Sequence, residues 1–291
     1  MAKILITGAT GFIGSHLFDL LLSKGYDVYG ISNIRTKKSI SKIPLLNKKK
    51  LNSYFKKTNF DVVIHLASLT KETDITSMFK NNVLSTLNIL NCCKLKKIKK
   101  FILISGHNVY SQNSKIPMTE KAKILPSTNY GLTKLLQENL AEFYAKNHLL
   151  DVIILRLSYT YGPNQPLEKM IPTLINKYVN SKPIILNKYK NGFQKIDVIN
   201  IHDVCKVIEN TLKIKKNFDI FNISYGEPIT VKDILKTLKQ NIKSNSSVSI
   251  REINKKTIHY QYDNSHAKKI LNFKPTVNLE KGIKELIKIF I

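Results

Sequence analysis

Three glycines, spaced three residues apart, constrain the first part of this chain more than any other feature. Gly8, Gly11 and Gly14 follow the apolar run 2–7, which predicts a buried strand, and precede a segment of helical spacing at 16–22. Glycine allows a tight turn and a close approach of the backbone to a ligand, while a helix N-terminus offers free N–H groups to phosphates. This strand–turn–helix order predicts a site for the pyrophosphate of a dinucleotide.

The second predicted strand, Asp27–Ser32, ends where the adenosine ribose of such a dinucleotide would lie. An acidic residue at this point would accept hydrogen bonds from both ribose hydroxyls and repel a 2′-phosphate. Ser32 ends the strand instead, and Arg35, Lys37 and Lys38 follow it. This pattern favours NADP(H) as the cofactor. The alternative is that the lysines reflect composition and that the site takes NAD(H).

Strands and helices continue to alternate after the glycine turn. Predicted strands cover 60–66, 101–105 and 151–157, and predicted helices cover 81–93 and 130–147. Such alternation is typical of the α/β class, with a doubly wound parallel sheet covered by helices on both faces.

From about residue 163 onward, the elements become shorter and prolines interrupt them. We therefore predict a dinucleotide-binding lobe over 1–163 and a smaller, mixed α/β lobe over 164–291. The second lobe is expected to bind mainly substrate, with the chain crossing back to the first lobe. The substrate should lie in the cleft between the two lobes.

The net charge of +27 raises the question of a nucleic acid or an anionic membrane as partner. The arginines are Arg35, Arg156 and Arg251, and the remaining basic residues are lysines scattered along the chain. Because nucleic-acid readers usually exploit the bidentate fork of arginine, we expect a compositional bias and no nucleic-acid partner. A positive field would still help to collect anionic substrates.

Several features indicate a cytoplasmic protein. No apolar run approaches the roughly 20 residues of a membrane helix, so no membrane insertion is expected. The N-terminal segment lacks the length and cleavage site of a signal peptide. Cys92, Cys93 and Cys205 suggest neither a disulfide framework nor a metal-ligand spacing, so we expect a reducing compartment and no metal.

Tyr130 and Lys134 are the predicted catalytic pair. They lie four residues apart, and therefore on one face, near the start of a predicted helix. A lysine ammonium beside a tyrosine stabilises the phenolate and lowers the tyrosine pKa. Such a pair can move a proton to or from a substrate oxygen while a nicotinamide moves hydride at the attached carbon. Lys134 can also hold the nicotinamide ribose.

The order of these motifs resembles that of the extended short-chain dehydrogenases/reductases, in the NAD-dependent epimerase/dehydratase family that modifies nucleotide sugars. The resemblance spans nearly the whole chain and is carried by the segments 7–14, 65–68, 105–110, 130–134, 156–163, 202–204, 221–223 and 263–282, together with Asn82, Thr86 and Asn88. It implies a Rossmann-type fold and a nucleotide-sugar substrate, and it suggests a homodimer. The cofactor-binding residues predicted from the motifs are Gly8, Gly11, Phe12, Ile13, Gly14, Ser32, Arg35, Leu66, Ala67, Asn82 and Lys134.

Several positions depart from the family pattern. The family usually has a Ser or Thr four residues before the tyrosine matched by Tyr110, and its hydroxyl bonds the reacting sugar oxygen. Gly106 stands at that position, so either the neighbouring Ser105 serves in its place or this hydrogen bond is absent. Dehydratases follow the hydroxyl with Asp and Glu, whereas this chain has His107 and Asn108, which argues against dehydration.

Two positions on the substrate side differ as well. The usual Arg before Asp197 is replaced by Ile196, and Lys195 is a candidate to supply the missing charge. The usual Asn after the strand that contains Arg156 is replaced by Tyr159.

The leading hypothesis is an NADPH-linked reductase of a nucleotide-activated 4-keto-6-deoxyhexose. The alternatives are a nucleotide-sugar 4-epimerase and, in a different class, a non-catalytic NAD(P) sensor or RNA-binding relative of the fold.

Overall fold

The computed structural model describes residues 2–34, 39–71 and 73–291. Most of its strands join one large sheet. In chain order the described strands are β1 (Lys3–Thr7), β2 (Asp27–Ser32), β3 (Ile40–Lys42), β4 (Val62–His65), β5 (Lys100–Gly106), β6 (Asp151–Leu157), β7 (Tyr159–Tyr161), β8 (Ile184–Tyr189), β9 (Gly192–Phe193), β10 (Val198–Asn200), β11 (Phe218–Ile223) and β12 (Val248–Ile253).

Helices fill most of the connections between these strands. The described α-helices are α1 (Phe12–Ser23), α2 (Lys48–Lys57), α3 (Ile75–Met78), α4 (Ser85–Leu95), α5 (Asn129–Asn147), α6 (Met170–Val179), α7 (Ile201–Thr211), α8 (Val231–Asn241), α9 (Ser265–Leu271) and α10 (Leu279–Phe290). A π-helical turn, Phe79–Leu84, joins α3 to α4, and a 3₁₀ turn, His107–Val109, follows β5. The helix predicted to start at residue 81 therefore contains a wider turn before it becomes regular.

The large sheet has the order β3-β2-β1-β4-β5-β6-β11, and every neighbouring pair in it is parallel. β2 and β3 lie on one side of β1, and the chain then crosses back so that β4 lies on the other side of β1. The connections after β1 and β4 consequently run in opposite directions, which opens a crevice at the carboxyl ends of these strands. This arrangement confirms the predicted doubly wound α/β fold.

The sheet is buried on both faces, as continuous apolar strands require. In β1, Ile4 and Ile6 pack into the core under α1 and α7, whereas Leu5 packs into the opposite core under α2, α4 and α5. This period of two follows from the strand pleat. The two cores hold the sheet rigidly, so the ends of its strands are fixed in position.

A smaller core lies among α6, α8, α10 and the three-stranded sheet β12-β8-β9. β11 and α9 come later in the chain but pack on the large sheet, where β11 pairs with β6. The chain thus returns to the first core after the smaller core has begun. The division at residue 163 stays a prediction.

Candidate active site

A cavity of about 560 Å³ opens at the carboxyl ends of β1, β4, β5 and β6. We call its first side the turn wall, formed by residues 8–14 with Leu66. Its opposite side is the strand-end wall, formed by the residues that end or follow β5 and β6: Gly106, His107, Asn108, Ser158 and Tyr159. Between the walls, α5 contributes Tyr130 and Lys134.

The turn wall is made mainly of backbone. Gly8 has φ +70°, and a Cβ atom on it would lie 2.9 Å from the Ala67 Cα atom. A Cβ atom on Gly14 would lie 2.1 Å from the Gly8 carbonyl oxygen, so no other residue fits without displacing the turn. Gly11 precedes the first residue of α1, whose N-terminal N–H groups begin at Phe12. A dinucleotide pyrophosphate fits this wall, because the backbone is accessible at a helix N-terminus.

The structure brings most of the predicted cofactor residues to this cavity. Those that line it are Gly8, Gly11, Phe12, Ile13, Gly14, Leu66 and Lys134. Ala67 lies behind the wall, where its N–H donates to the Thr7 Oγ1 atom at 3.2 Å and its Cα atom faces Gly8. Arg35, Lys37 and Lys38, on which the NADP(H) preference depended, lie outside the described residues.

Two predicted cofactor residues have their side chains engaged within the protein. The buried Ser32 hydroxyl lies 2.7 Å from the Thr10 hydroxyl and accepts the Ile34 N–H, so it shapes the end of β2. The side chain of Asn82 is buried and is not part of the cavity lining, and its contact with the cofactor stays a prediction. Its Oδ1 atom accepts the Leu69 N–H at 2.7 Å, and its Nδ2 atom donates to the Thr133 hydroxyl at 3.0 Å. Asn82 thereby joins the loop after β4 to α5.

Tyr130 and Lys134 lie together on the buried face of α5, as predicted. The Lys134 Nζ atom lies 5.7 Å from the centre of the Tyr130 ring and donates to the Ile104 carbonyl at 2.9 Å. Burial lowers the pKa of Lys134 to about 8, against the opposing charge of Glu138. Burial also raises the pKa of Tyr130 to about 12. This direction is opposite to the expected depression, because desolvation of the phenol dominates.

Ser105, the predicted replacement for the missing hydroxyl, is directed elsewhere. It is 4% exposed, and its hydroxyl donates to the Glu138 Oε1 atom at 2.5 Å. Glu138 in turn pairs with Arg156, whose Nη2 atom lies 2.7 Å from the Glu138 Oε2 atom, and Arg156 also donates to the Tyr110 hydroxyl at 3.0 Å. Ser105 lines the cavity, but its hydroxyl belongs to this buried ion-pair network, and its catalytic role stays a prediction.

The strand-end wall contains the positions that a dehydratase uses for acid and base. Burial lowers the pKa of His107, while a hydrogen bond to the Leu157 carbonyl opposes this shift, so the ring is neutral at pH 7. The His107 Nδ1 atom lies 3.3 Å from the Leu157 oxygen, and the ring packs beside Tyr260 and Tyr262. An amide follows at Asn108. Neither group supplies the carboxyl pair that dehydration requires.

Several polar groups of the cavity were missed by sequence reasoning. The Ser158 hydroxyl and the Gln165 Oε1 atom are buried without hydrogen-bond partners and line the cavity. Lys169, at the start of α6, also lines it, whereas the predicted cation Lys195 is exposed and outside the lining. The Tyr159 hydroxyl accepts the N–H of Met170, the first residue of α6. No local pattern marks these residues, because they follow strand ends at irregular spacing.

Within residues 2–34, 39–71 and 73–291, no helix is long and apolar enough to cross a membrane. The same residues contain no group of three or more His, Cys, Asp or Glu side chains arranged to hold a metal ion.

Comparison with known proteins places this geometry in a family. The model of the NAD dependent epimerase/dehydratase family matches residues 4–224, which include the turn wall, both catalytic candidates and the strand-end wall. The chain belongs to this family. Membership confirms the resemblance inferred from the motifs and the expectation of an NAD-linked enzyme.

Family members of known structure and sequence cover nearly the whole chain. A UDP-glucose 4-epimerase from Thermotoga maritima superposes with a TM-score of 0.90 at 25% identity, over 99% of this chain and 98% of that one. A UDP-glucuronic acid 4-epimerase from Bacillus cereus, in complex with UDP-glucuronic acid and NAD, gives 0.86 at 29% identity, over 99% and 98%. The dTDP-4-dehydro-6-deoxyglucose reductase of Escherichia coli is 29% identical over 98% of this chain and 96% of its own.

Proposed function

We propose that the protein is an NAD-dependent 4-epimerase of a nucleoside diphosphate hexose. The observation that carries this proposal is the combination of one proton-transfer pair, Tyr130 and Lys134, with a strand-end wall that lacks a second acid and base. Epimerisation and reduction need proton transfer at a single sugar oxygen, whereas dehydration needs a further acid–base pair. Gly106 leaves room in that wall, which suits a sugar that must present either face to the cofactor.

The turn wall would hold the pyrophosphate of NAD at Gly8, Gly11 and Gly14, and Lys134 would hold the nicotinamide ribose. NAD bound there would supply the hydride-transfer chemistry at the sugar carbon. Tyr130 takes the proton of the hydroxyl on that carbon during oxidation and gives it back during reduction. The Lys134 ammonium, 5.7 Å from the ring centre, stabilises the phenolate needed for the first of these steps.

The substrate would enter from the side of α6. Lys169 and the unpartnered polar atoms of Ser158 and Gln165 line the cavity there. A cation suits the diphosphate of a nucleotide sugar, and buried polar atoms without partners suit sugar hydroxyls, which can satisfy them. The relatives from T. maritima and B. cereus support a substrate of this class.

NAD is proposed in preference to NADP. The family is NAD-dependent, and the B. cereus 4-epimerase structure contains NAD. The Ser32 hydroxyl is already engaged with Thr10, so it offers no separate group for a 2′-phosphate. The NADP(H) preference inferred from the sequence receives no support from these relatives.

Reduction of a 4-keto-6-deoxyhexose nucleotide, the leading hypothesis from the sequence, remains the second candidate. The likeness to the E. coli reductase along the whole chain favours it specifically. Reduction would use the same Tyr130 and Lys134, with the cofactor exchanged in every turnover. The two reactions therefore differ in whether cofactor is retained.

A paired assay separates the candidates. The purified protein is denatured, and the released nucleotide is identified as NAD or NADP and quantified against protein. Sugar nucleotides, including UDP-glucose, UDP-glucuronic acid and their 4-epimers, are then incubated without added reductant, and product stereochemistry is determined by NMR. We expect retained NAD and interconversion of 4-epimers, and no turnover by Tyr130→Phe. Consumption of added NADPH or NADH with a 4-keto-6-deoxy substrate, without interconversion, would instead establish the reductase.

A further inference from the structure

The strand-end wall has a gap at Gly106. This residue ends β5 with φ −153° and ψ 167°, an extended conformation that any residue adopts. A Cβ atom there would lie 3.5 Å from the Asn108 Oδ1 atom and 3.9 Å from the Leu157 oxygen, which are ordinary contacts. Neither the backbone nor the packing requires glycine. A side chain can therefore begin at this position without displacing its neighbours, yet the protein carries no hydroxyl there.

The polar side-chain atom nearest to this gap belongs to Asn108. Asn108 lies in the 3₁₀ turn after β5 and lines the cavity, and it is partly exposed. Its side-chain amide makes no hydrogen bond within the part of the chain that the structure describes. An amide at this place, with both donor and acceptor available, is poised for a ligand.

The backbone of Asn108 is held against the start of α5. A Cβ atom on Gly131 would lie only 2.3 Å from the Asn108 carbonyl oxygen. The turn and the helix are therefore so close that only glycine fits at position 131. Gly131 directly follows Tyr130. This close packing fixes the turn that carries Asn108 beside the helical turn that carries the catalytic phenol.

Other polar groups near the gap are engaged or further away. The Ser105 hydroxyl donates to Glu138, and the His107 Nδ1 atom is on the Leu157 carbonyl. The Ser158 hydroxyl is unpartnered, but it is not among the atoms within 4 Å of a Cβ atom at position 106. Asn108 is thus the side chain best placed to act where the hydroxyl is missing.

We propose that the Asn108 amide, turned so that its Nδ2 atom faces the gap, takes the place of the missing hydroxyl and donates a hydrogen bond to the sugar oxygen on which Tyr130 acts. This inference rests on the proposed function. An amide donates a hydrogen bond but does not release a proton at neutral pH. The proton therefore passes directly between the sugar oxygen and Tyr130, and Asn108 stabilises the negative charge that develops on that oxygen.

The test removes the hydrogen-bond donor at position 108 and then introduces one at position 106. Asn108→Ala should lower kcat by roughly 100-fold, the usual cost of one donor to a developing oxyanion, with a smaller effect on KM. In the double variant Gly106→Ser/Asn108→Ala, the new hydroxyl should raise kcat at least about tenfold above that of Asn108→Ala, because it donates a charge-directed hydrogen bond in place of the amide. A merely structural role for Asn108 would give no such rescue. Asn113→Ala, which removes an exposed asparagine amide from the next loop, is the matched control.

Asn108→Asp serves as a second variant in case Asn108→Ala fails to fold, since it keeps the shape but removes the donor. Retained NAD and circular dichroism report the folded state of each variant. The inference is overturned if both folded variants keep wild-type kcat, if the double variant is not rescued, or if Ser158→Ala loses more activity than Asn108→Ala. Whether the proposed function fails is decided by the activity of the wild-type protein alone. The variant ratios are measured on whichever reaction, epimerisation or reduction, the wild type catalyses.

Discussion

The turn wall and the strand-end wall face the same cavity but are constrained in different ways. In the turn wall, the place of Gly14 is fixed by the protein itself, since a Cβ atom there would lie 2.1 Å from the Gly8 oxygen. In the strand-end wall, a Cβ atom at Gly106 would meet only ordinary van der Waals contacts, and Ser158 has a buried hydroxyl with no partner. The difference indicates that close backbone packing restricts which residues can occupy the turn wall. In the strand-end wall, the bound ligand is the main restriction on residue identity.

The largest effect is expected behind the strand-end wall. Arg156 and Glu138 are each 4% exposed and hold Ser105 at the end of β5. Glu138→Ala would leave a buried guanidinium unpaired and should lower the free energy of unfolding by about 3–5 kcal/mol. Urea denaturation measures this change. Glu280→Ala, which removes the exposed pair with Lys284, should cost less than about 1 kcal/mol. Equal losses would mean that the network does not support the wall.

Lys134, between the walls, should make stability depend on pH. Its pKa is lowered to about 8 by burial, so between pH 8 and its ordinary value the unfolded chain binds more protons than the folded one. The stability of the wild type relative to Lys134→Met should therefore rise with pH across this window, by at most about 3 kcal/mol. Denaturation of both proteins at a series of pH values provides the measurement. A constant difference would show that Lys134 is not desolvated as the structure implies.

The turn wall is tested by adding one methyl group. Gly14→Ala forces a displacement of the Gly8 carbonyl and should cost about 1–3 kcal/mol of unfolding free energy. It should also abolish NAD retention, because the pyrophosphate contacts the same backbone. Thermal unfolding and the nucleotide content of the purified protein report the two effects. Gly106→Ala is the matched change in the other wall and should leave fold and NAD content intact. A similar loss in both variants would contradict the comparison drawn between the walls.

The smallest effect is expected at the margin of the turn wall. Ser32→Ala removes the hydrogen bond with Thr10 and should cost about 0.5–1.5 kcal/mol of unfolding free energy. NAD affinity should change little if the hydroxyl only shapes the end of β2, and isothermal titration of the protein stripped of nucleotide checks this. Ser23→Ala, which removes an exposed hydroxyl bonded to the Leu20 carbonyl, provides the reference. A large loss of NAD affinity would indicate that the Ser32 hydroxyl contacts the cofactor directly.

The sequence predicted the sheet and the turn wall well because their signals are local. Continuous apolar runs mark strands buried on both faces, and the glycines mark a turn that only glycine can make. Tyr130 and Lys134 were found because one helical turn brings them together. The short strand Ile40–Lys42 and the polar helix Lys48–Lys57 were missed, since neither shows a strong periodic pattern.

The rest of the site depends on side-chain orientations that no local sequence pattern predicts. Every residue of β5 is buried, so no polar alternation reveals that the Ser105 hydroxyl turns toward Glu138. Asn82 lies in a π-helical turn, where the usual helical spacing does not predict which way a side chain points. The raised Tyr130 pKa reflects the depth of burial, which arises only when α5 packs on the sheet.

The ordinary contacts around Gly106 also bear on how this enzyme can change over evolutionary time. An alanine there displaces no neighbouring atom, because its Cβ atom would lie 3.5 Å from the Asn108 Oδ1 atom and 3.9 Å from the Leu157 oxygen. Position 106 can therefore accept a small side chain in one substitution while the protein stays folded. This tolerance makes it a convenient starting point for directed evolution of the sugar site.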